Sequence, residues 1–227
     1  MKTIILTRFL IDGLFSKPPL TDEQAARAER ILRQALLPSL ANQTFRDFEW
    51  WVIGGDRLRD VDLPAEKLIL PPGACMGAAA SERLAGVTGN VLSIRLDSDD
   101  AVDRGFLQRM FEAAFGATAP EIVYQTGGYV CDLRARKVVR RKYIRPSPFT
   151  GCVETGLYKT VFAARHIGLA RVGFTETRIA GSQTMQFLHG GNAVTRKANH
   201  VVRPESFPGF HWERFGVDIQ KLTEAMS

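Results

Sequence analysis

What most limits the folds open to this chain is an alternation of short apolar runs with amphipathic helical stretches. Lys2 to Thr7 (KTIILT), Phe48 to Ile53 (FEWWVI), Lys67 to Leu70 (KLIL) and Val91 to Leu96 (VLSIRL) are the runs. Each is too short for a helix and several are apolar on both faces, as strands buried on both sides are. Between the first two, Thr21 with Gln24 three residues on spells a capping box. Ala25, Ala28, Ile31, Leu32, Ala35 and Leu36 then fall on one helical face, which Pro38 is expected to close. An alanine-rich helix is expected within Gly77 to Gly89, and another over Phe106 to Phe115. This order predicts an α/β fold, a mostly parallel central sheet flanked by helices.

The second half changes character. Ile122 to Tyr124, Tyr129 to Leu133 and Val138 to Ile144 are strand-like, the last two joined by a short basic turn. Beyond about residue 150 the periodicity weakens, so a mixed second half is expected. A length of 227 residues is within what one α/β domain fills.

Composition excludes more than it selects. Hydrophobic residues at 45% and charged residues at 24% rule out a disordered chain. Thirty Lys and Arg against 24 Asp and Glu give net +6, which favours anionic partners: nucleic acid, phosphorylated small molecules or an anionic membrane surface. Cys75, Cys131 and Cys152 are far apart with no CxxC spacing, which argues against a disulfide framework or a zinc site. No run approaches about 18 apolar residues, and the apolar start is too brief for a signal peptide. The expected address is cytoplasmic.

In open parallel sheets ligands gather at the carboxyl ends of strands, where the strand order reverses. Arg8 follows the first strand, Asp56 the second, and Asp97, Ser98, Asp99 and Asp100 the fourth. About 0.6 Asp-x-Asp pairs are expected by chance in such a chain, and Asp60-Val61-Asp62 is one that reads as a solvated loop. The Asp97 cluster differs because it ends a buried strand. Carboxylates crowded there repel one another unless a cation joins them, and a hard divalent ion shared with a diphosphate would do so. Alternatively, Asp99 or Asp100 caps the helix that follows.

Pro38-Ser39-Leu40-Ala41-Asn42-Gln43-Thr44-Phe45-Arg46-Asp47-Phe48-Glu49-Trp50, paired with Ile94-Arg95-Leu96-Asp97-Ser98-Asp99-Asp100, resembles GT-A-fold glycosyltransferases of the broad family 2 type. There an NQT stretch leads into the second strand and a DxD ends the later one. Leu6-Thr7-Arg8-Phe9 and His189-Gly190-Gly191-Asn192 narrow the resemblance to a rhamnosyltransferase group, over roughly residues 1 to 195. The resemblance implies a single GT-A domain, with a nucleotide-binding half of about 1–118 and an acceptor half of about 119–227. It implies an inverting transfer of a sugar, rhamnose in that group, from a nucleoside-diphosphate sugar to a glycan or other hydroxyl acceptor. Asp97 and Asp99 would hold Mn²⁺ or Mg²⁺ with His189, and Thr7, Arg8, Asp56, Arg95 and Asp97 would line the nucleotide sugar. His189 reads equally as a helix-end residue bonded to backbone.

Two departures stand out. The Arg-Asn pair that the family places before the DxD strand is absent near Ala80-Ser81, where Arg83 and Arg95 are the nearby cations. Arg95 would share a strand face with Asp97, either to meet a phosphate or to neutralise the aspartates. The acidic pair that supplies the family's base is replaced by Ala180-Gly181-Ser182-Gln183, leaving Glu176 as the candidate base. A sugar-nucleotide or glycan binder without turnover is therefore one rival. A basic nucleic-acid-binding protein, suggested by Arg134, Arg136, Lys137, Arg140, Arg141, Lys142 and Arg145, is the weaker one: aromatic interleaving is sparse there, so nucleic acid is not the expected partner. Peripheral contact with a membrane is compatible with the same charge.

Overall fold

The computed structural model describes residues 1–12, 18–117, 120–164, 168–169, 171, 173–188 and 201–226. Among the described residues ten strands form one sheet: β1 (Lys2–Arg8), β2 (Glu49–Gly54), β3 (Glu66–Ile69), β4 (Asn90–Arg95), β5 (Asp100–Val102), β6 (Glu121–Asp132), β7 (Lys137–Lys142), β8 (Thr150–Thr155), β9 (Thr175–Leu188) and β10 (Val201–Glu205). The helices are α1 (Asp22–Gln34), α2 (Leu36–Ala41), α3 (Met76–Arg83), α4 (Phe106–Ala114) and α5 (Ile219–Met226). The main path runs β10-β7-β6-β8-β4-β1-β2-β3, with β5 and β9 paired off it. β3, β2, β1 and β4 are parallel throughout, and β8 enters antiparallel beside β4. The fold is therefore α/β, with a parallel sheet flanked by helices and a mixed second half.

Pleat alternation sends β1 side chains to two cores. Ile5 joins a cluster roofed by Leu32 of α1, Leu36 and Leu40 of α2, and Phe106, Leu107 and Met110 of α4. Ile4 and Leu6 join the opposite cluster, where Ala80 of α3 packs with Tyr158 and Leu169. A strand covered on both faces must be apolar at nearly every position, which is why β1 was readable. A third cluster, with Phe187, Trp212, Phe215 and Leu222, fills the second half.

The Thr21 capping box forms as expected, with Thr21 Oγ1 accepting from Gln24 N–H and Gln24 Oε1 from Thr21 N–H. Pro38 does not end the helical stretch. The chain breaks at Ala35 and resumes as α2, with Pro38 in its first turn, where a missing N–H costs nothing because that donor has no intrahelical acceptor. Ile122 to Tyr124 and Tyr129 to Leu133 are parts of one long strand, since Gly127 and Gly128 continue β6 rather than turn it. Asp99 and Asp100 do not cap α4: Asp100 opens β5, and Asp103 Oδ1 accepts from Gly105 N–H at the helix start. Among the described residues no helix is long and apolar enough to cross a membrane.

Candidate functional site

The strand order reverses between β1 and β4: β2 and β3 lie outward on one side of β1, while β4 lies on the other. In open α/β sheets ligands bind beyond the carboxyl ends of the strands at such a switch point. Arg8 ends β1 and Arg95 ends β4, and both guanidiniums turn onto Asp97. Arg8 sits at 3.1 and 3.2 Å from its two carboxylate oxygens. Arg95 donates through Nε at 3.1 Å and through its terminal nitrogen at 2.9 Å. Burial pushes the Asp97 carboxyl upward, but the charges of Arg95 and Arg8 and their hydrogen bonds outweigh it, so Asp97 is held below the usual carboxylate range. Asp100 goes the other way. Burial first, then the charges of Asp99 and Asp97, hold its carboxyl well above that range. The loop thus concentrates acids next to two guanidiniums whose planar forks suit phosphate oxygens.

This edge is braced from below by the Asn42-Gln43-Thr44 run. Gln43 is fully buried; its side-chain amide donates to Ser39 O and Asp103 O, both at 2.9 Å, and accepts from Leu107 N–H at 3.0 Å. Asn42 donates to the carbonyls of Glu213 and Arg214, and Thr44 bonds the Arg104 carbonyl. Asp103 completes the brace with an ion pair to Arg214 at 2.6 Å. The NQT motif therefore works by fixing the start of α4 and the 3₁₀ turn Trp212–Phe215 under the acidic loop. Apart from the Gln43 bond to Ser39 O, these partners lie far along the chain, so the fold and not the residue types decides them.

The chain leaves β1 under constraint. A Cβ on Gly54 would overlap the Phe9 carbonyl oxygen, so the β1 and β2 ends approach only because residue 54 lacks one. Leu10, just beyond, sits at φ 50° in the left-handed region, which a leucine enters at a cost.

Of the sequence-predicted residues, the structure brings Arg8, Arg95 and Asp97 together, with Asp99 close enough for its charge to act on Asp100. Thr7 lies at the same strand end, but its hydroxyl is buried and accepts the Trp50 indole N–H at 3.0 Å, away from the loop. Asp56 opens the 3₁₀ turn Asp56–Asp60 after β2, exposed and paired with Arg59 at 3.3 Å. Arg83 turns outward to Glu66 and stands over the Trp51 ring. His189 lies outside the described residues.

Glu176 of β9 is three strands from Arg95 of β4, with β8 and β6 between them, on the same face of the sheet. Ile94 and Val123 both pair with Gly151, so Arg95 and Tyr124, each one residue on, stand at one height about 10 Å apart. Leu6, which pairs with Arg95, and Tyr124 belong to the same core cluster, which fixes the shared face. Tyr124 donates its hydroxyl to Glu176 Oε2 at 3.2 Å, and Arg178 reaches the same oxygen at 3.4 Å. Burial and the Glu176 charge hold the Tyr124 hydroxyl above its ordinary value, keeping it a donor. Tyr124 was missed from sequence because an apolar run with one tyrosine reads as core.

Among the described residues no group of three His, Cys, Asp or Glu side chains is placed to hold a metal ion. Asp97 also already answers two guanidiniums. This does not fit an all-protein cage. It does fit a hard cation held by one or two carboxylates, its other ligands being substrate oxygens and water.

No family model and no curated protein matches the chain. Among solved structures it is similar to residues 1–349 of Staphylococcus aureus TarS (TM-score 0.46, 14% identity), covering 82% of this chain and 60% of that one. It is also similar to CMP:2-keto-3-deoxy-manno-octonic acid synthetase complexed with CTP (TM-score 0.46, 12% identity, 81% of this chain and 91% of that one). A third is Rv0371c of Mycobacterium tuberculosis H37Rv in complex with manganese (TM-score 0.44, 13% identity, 81% and 90%). The chain spans 60% of the length of the TarS segment it matches.

Proposed function

We propose that this chain is a glycosyltransferase that binds a nucleoside-diphosphate sugar across the carboxyl edge of β1 and β4 and passes the sugar to an acceptor hydroxyl. The observation that carries the reading is the convergence of Arg8 and Arg95 on Asp97 where the strand order reverses. Two guanidiniums held in place by a shared carboxylate are preorganised donors for the negative charge that grows on a departing diphosphate. Residues 1–118 form the nucleotide half in this reading and 119–227 the acceptor half, within a single domain. Asp56 is assigned to the nucleoside, and the backbone at Thr7 to the floor beneath it.

Asp99 and Asp97 would hold Mn²⁺ or Mg²⁺. When bound, such an ion neutralises leaving-group charge. Glu176 is assigned as the group that takes the acceptor proton, with Tyr124 and Arg178 both bonded to its Oε2. The acceptor hydroxyl would attack the anomeric carbon from the side opposite the diphosphate, inverting it. Rhamnose is the donor sugar that the sequence resemblance suggests.

The engagement of Glu176 by both Tyr124 and Arg178 also suits a binder without turnover. One panel separates the two. Thermal shifts are measured with UDP, GDP and dTDP and their sugars, with and without Mn²⁺, on the natural chain, Arg8→Ala and Asp99→Asn. The transferase reading expects one nucleotide to raise the melting temperature, less so in both variants, and its sugar to be consumed slowly. A shift without consumption selects the binder. No shift with any nucleotide overturns both.

A further inference from the structure

The second half carries charge that a diphosphate site does not use. Residues 1–118 hold 14 Lys and Arg against 16 Asp and Glu, whereas 119–227 hold 16 against 8. The whole positive excess therefore lies in residues 119–227. Part of it converges on one place. Arg140 of β7 donates Nε to Ser182 Oγ of β9 at 3.2 Å. Ser182 and Gly181 press against Gly127 of β6, and the β7 partner of Gly127 is Lys142. Arg109 of α4 also reaches this point, its guanidinium 3.9 Å from where a Cβ on Gly181 would sit. Arg109, Arg140 and Lys142 thus gather around the irregularity where β9 shifts register against β6. Arg145 follows shortly after β7. All four are exposed, and none is ion-paired among the described residues.

The apolar content of the patch narrows what it meets. Ile144 lies between Lys142 and Arg145 and is 59% exposed, while neighbouring Tyr143 is turned inward at 8%. Single-stranded nucleic acid would use an exposed aromatic ring for stacking, and the ring here is buried. A free phosphate has no use for an exposed isoleucine. An anionic bilayer uses both features: cations against its headgroups and an aliphatic side chain at the headgroup–acyl boundary.

We propose that Arg109, Arg140, Lys142, Arg145 and Ile144 form a docking surface for an anionic phospholipid bilayer. The surface uses none of Arg8, Asp97 and Arg95 and does not rest on the transferase reading.

The test is co-sedimentation of the full chain, without nucleotide, with vesicles of phosphatidylcholine alone or with about one-third phosphatidylglycerol. Binding is expected to the anionic vesicles only and to be released between about 50 mM and about 500 mM NaCl. Each cation replaced by alanine is expected to weaken partitioning about fivefold, and Ile144→Ser about tenfold with the charge unchanged. Because all five side chains are exposed, the melting temperature is expected to hold, and a melting check separates lost docking from lost folding. Arg8→Ala is expected to dock normally, which keeps this result distinct from failure at the nucleotide edge. Equal binding to neutral vesicles, or unchanged binding by the fourfold alanine variant, overturns the proposal. So does tighter binding of polyuridylate RNA at the same salt if the same variant loses it, which would make the surface a nucleic-acid one.

Discussion

β1 to β4 are short, parallel strands, and the polar groups at their ends are knitted into one another. β6 and β9, of 12 and 14 residues, are longer, and together with β7 they carry cations into solvent along part of their length. In the parallel half, charges and amides face inward: Asp97 between two arginines, Gln43 among three backbone groups, Asp103 against Arg214. In the other half Arg140, Lys142 and Arg145 are exposed, beside buried polar contacts such as those of Glu154 and the Gln125–Gln183 pair. The contrast teaches that both halves bury polar contacts, while the second also displays a cluster of cations to solvent. Desolvated contacts depend strongly on each partner, and solvated charges do not.

That contrast can be broken by substitution. The largest effect is expected from Asp97→Ala, which removes the carboxylate that the little-exposed Arg8 and Arg95 guanidiniums both contact. A loss of about 3–5 kcal/mol of unfolding free energy is expected by urea titration. A loss below about 1 kcal/mol would mean that water screens the cluster and that this edge is no more rigid than the second half. Next is Gln43→Ala, which removes an acceptor from Leu107 N–H and a donor from two carbonyls. About 2–3 kcal/mol is expected, together with faster amide exchange at the start of α4. Unchanged exchange would detach the NQT run from the acidic loop.

The smallest effect sharpens the comparison from the other side. Glu154 of β8 accepts from the N–H groups of Lys159 and Thr160 at 2.8 and 2.7 Å. Glu154→Gln places an amide N–H₂ against one of those donors and is expected to cost about 1–2 kcal/mol. Burial raises the Glu154 carboxyl despite both hydrogen bonds. The folded chain therefore keeps this proton over a range where the unfolded chain has released it. The stability it contributes is full below the ordinary value of 4.5 and falls as pH rises through the folded value. Glu154→Gln cannot titrate, so the gap between the natural chain and the variant narrows with rising pH across that window. A gap that widens would show that the charged form is the stabilised one.

Much of the parallel half was legible because burial on both faces forces continuous apolar runs, and because Thr21 and Gln24 cap α1 through purely local bonds. β8, β9 and β10 were not legible. β9 alternates exposed and buried residues irregularly, and its register shift beside β6 arises from packing against Gly127, a contact far apart in sequence. Candidate site residues followed the same divide. Arg8, Arg95 and Asp97 were readable as strand ends, but that Arg8 and Arg95 meet on Asp97 depends on β1 and β4 being neighbours. The Thr7 hydroxyl was expected to face the nucleotide, yet the pleat turns it to Trp50. Tyr124 gave no sign in the sequence of holding Glu176.

The sequence by itself determined the alternation of elements, the acidic loop at a strand end and the sign of the net charge, because each depends on local pattern or simple composition. The tertiary structure alone decided which charges are neutralised and which are displayed. Asp97 and Arg140 are both charged residues in this chain, and only the strand neighbours of each determine whether its charge is answered inside the protein. Coulomb energy depends on distance and on access to water, and neither is a property of a residue's place in the chain.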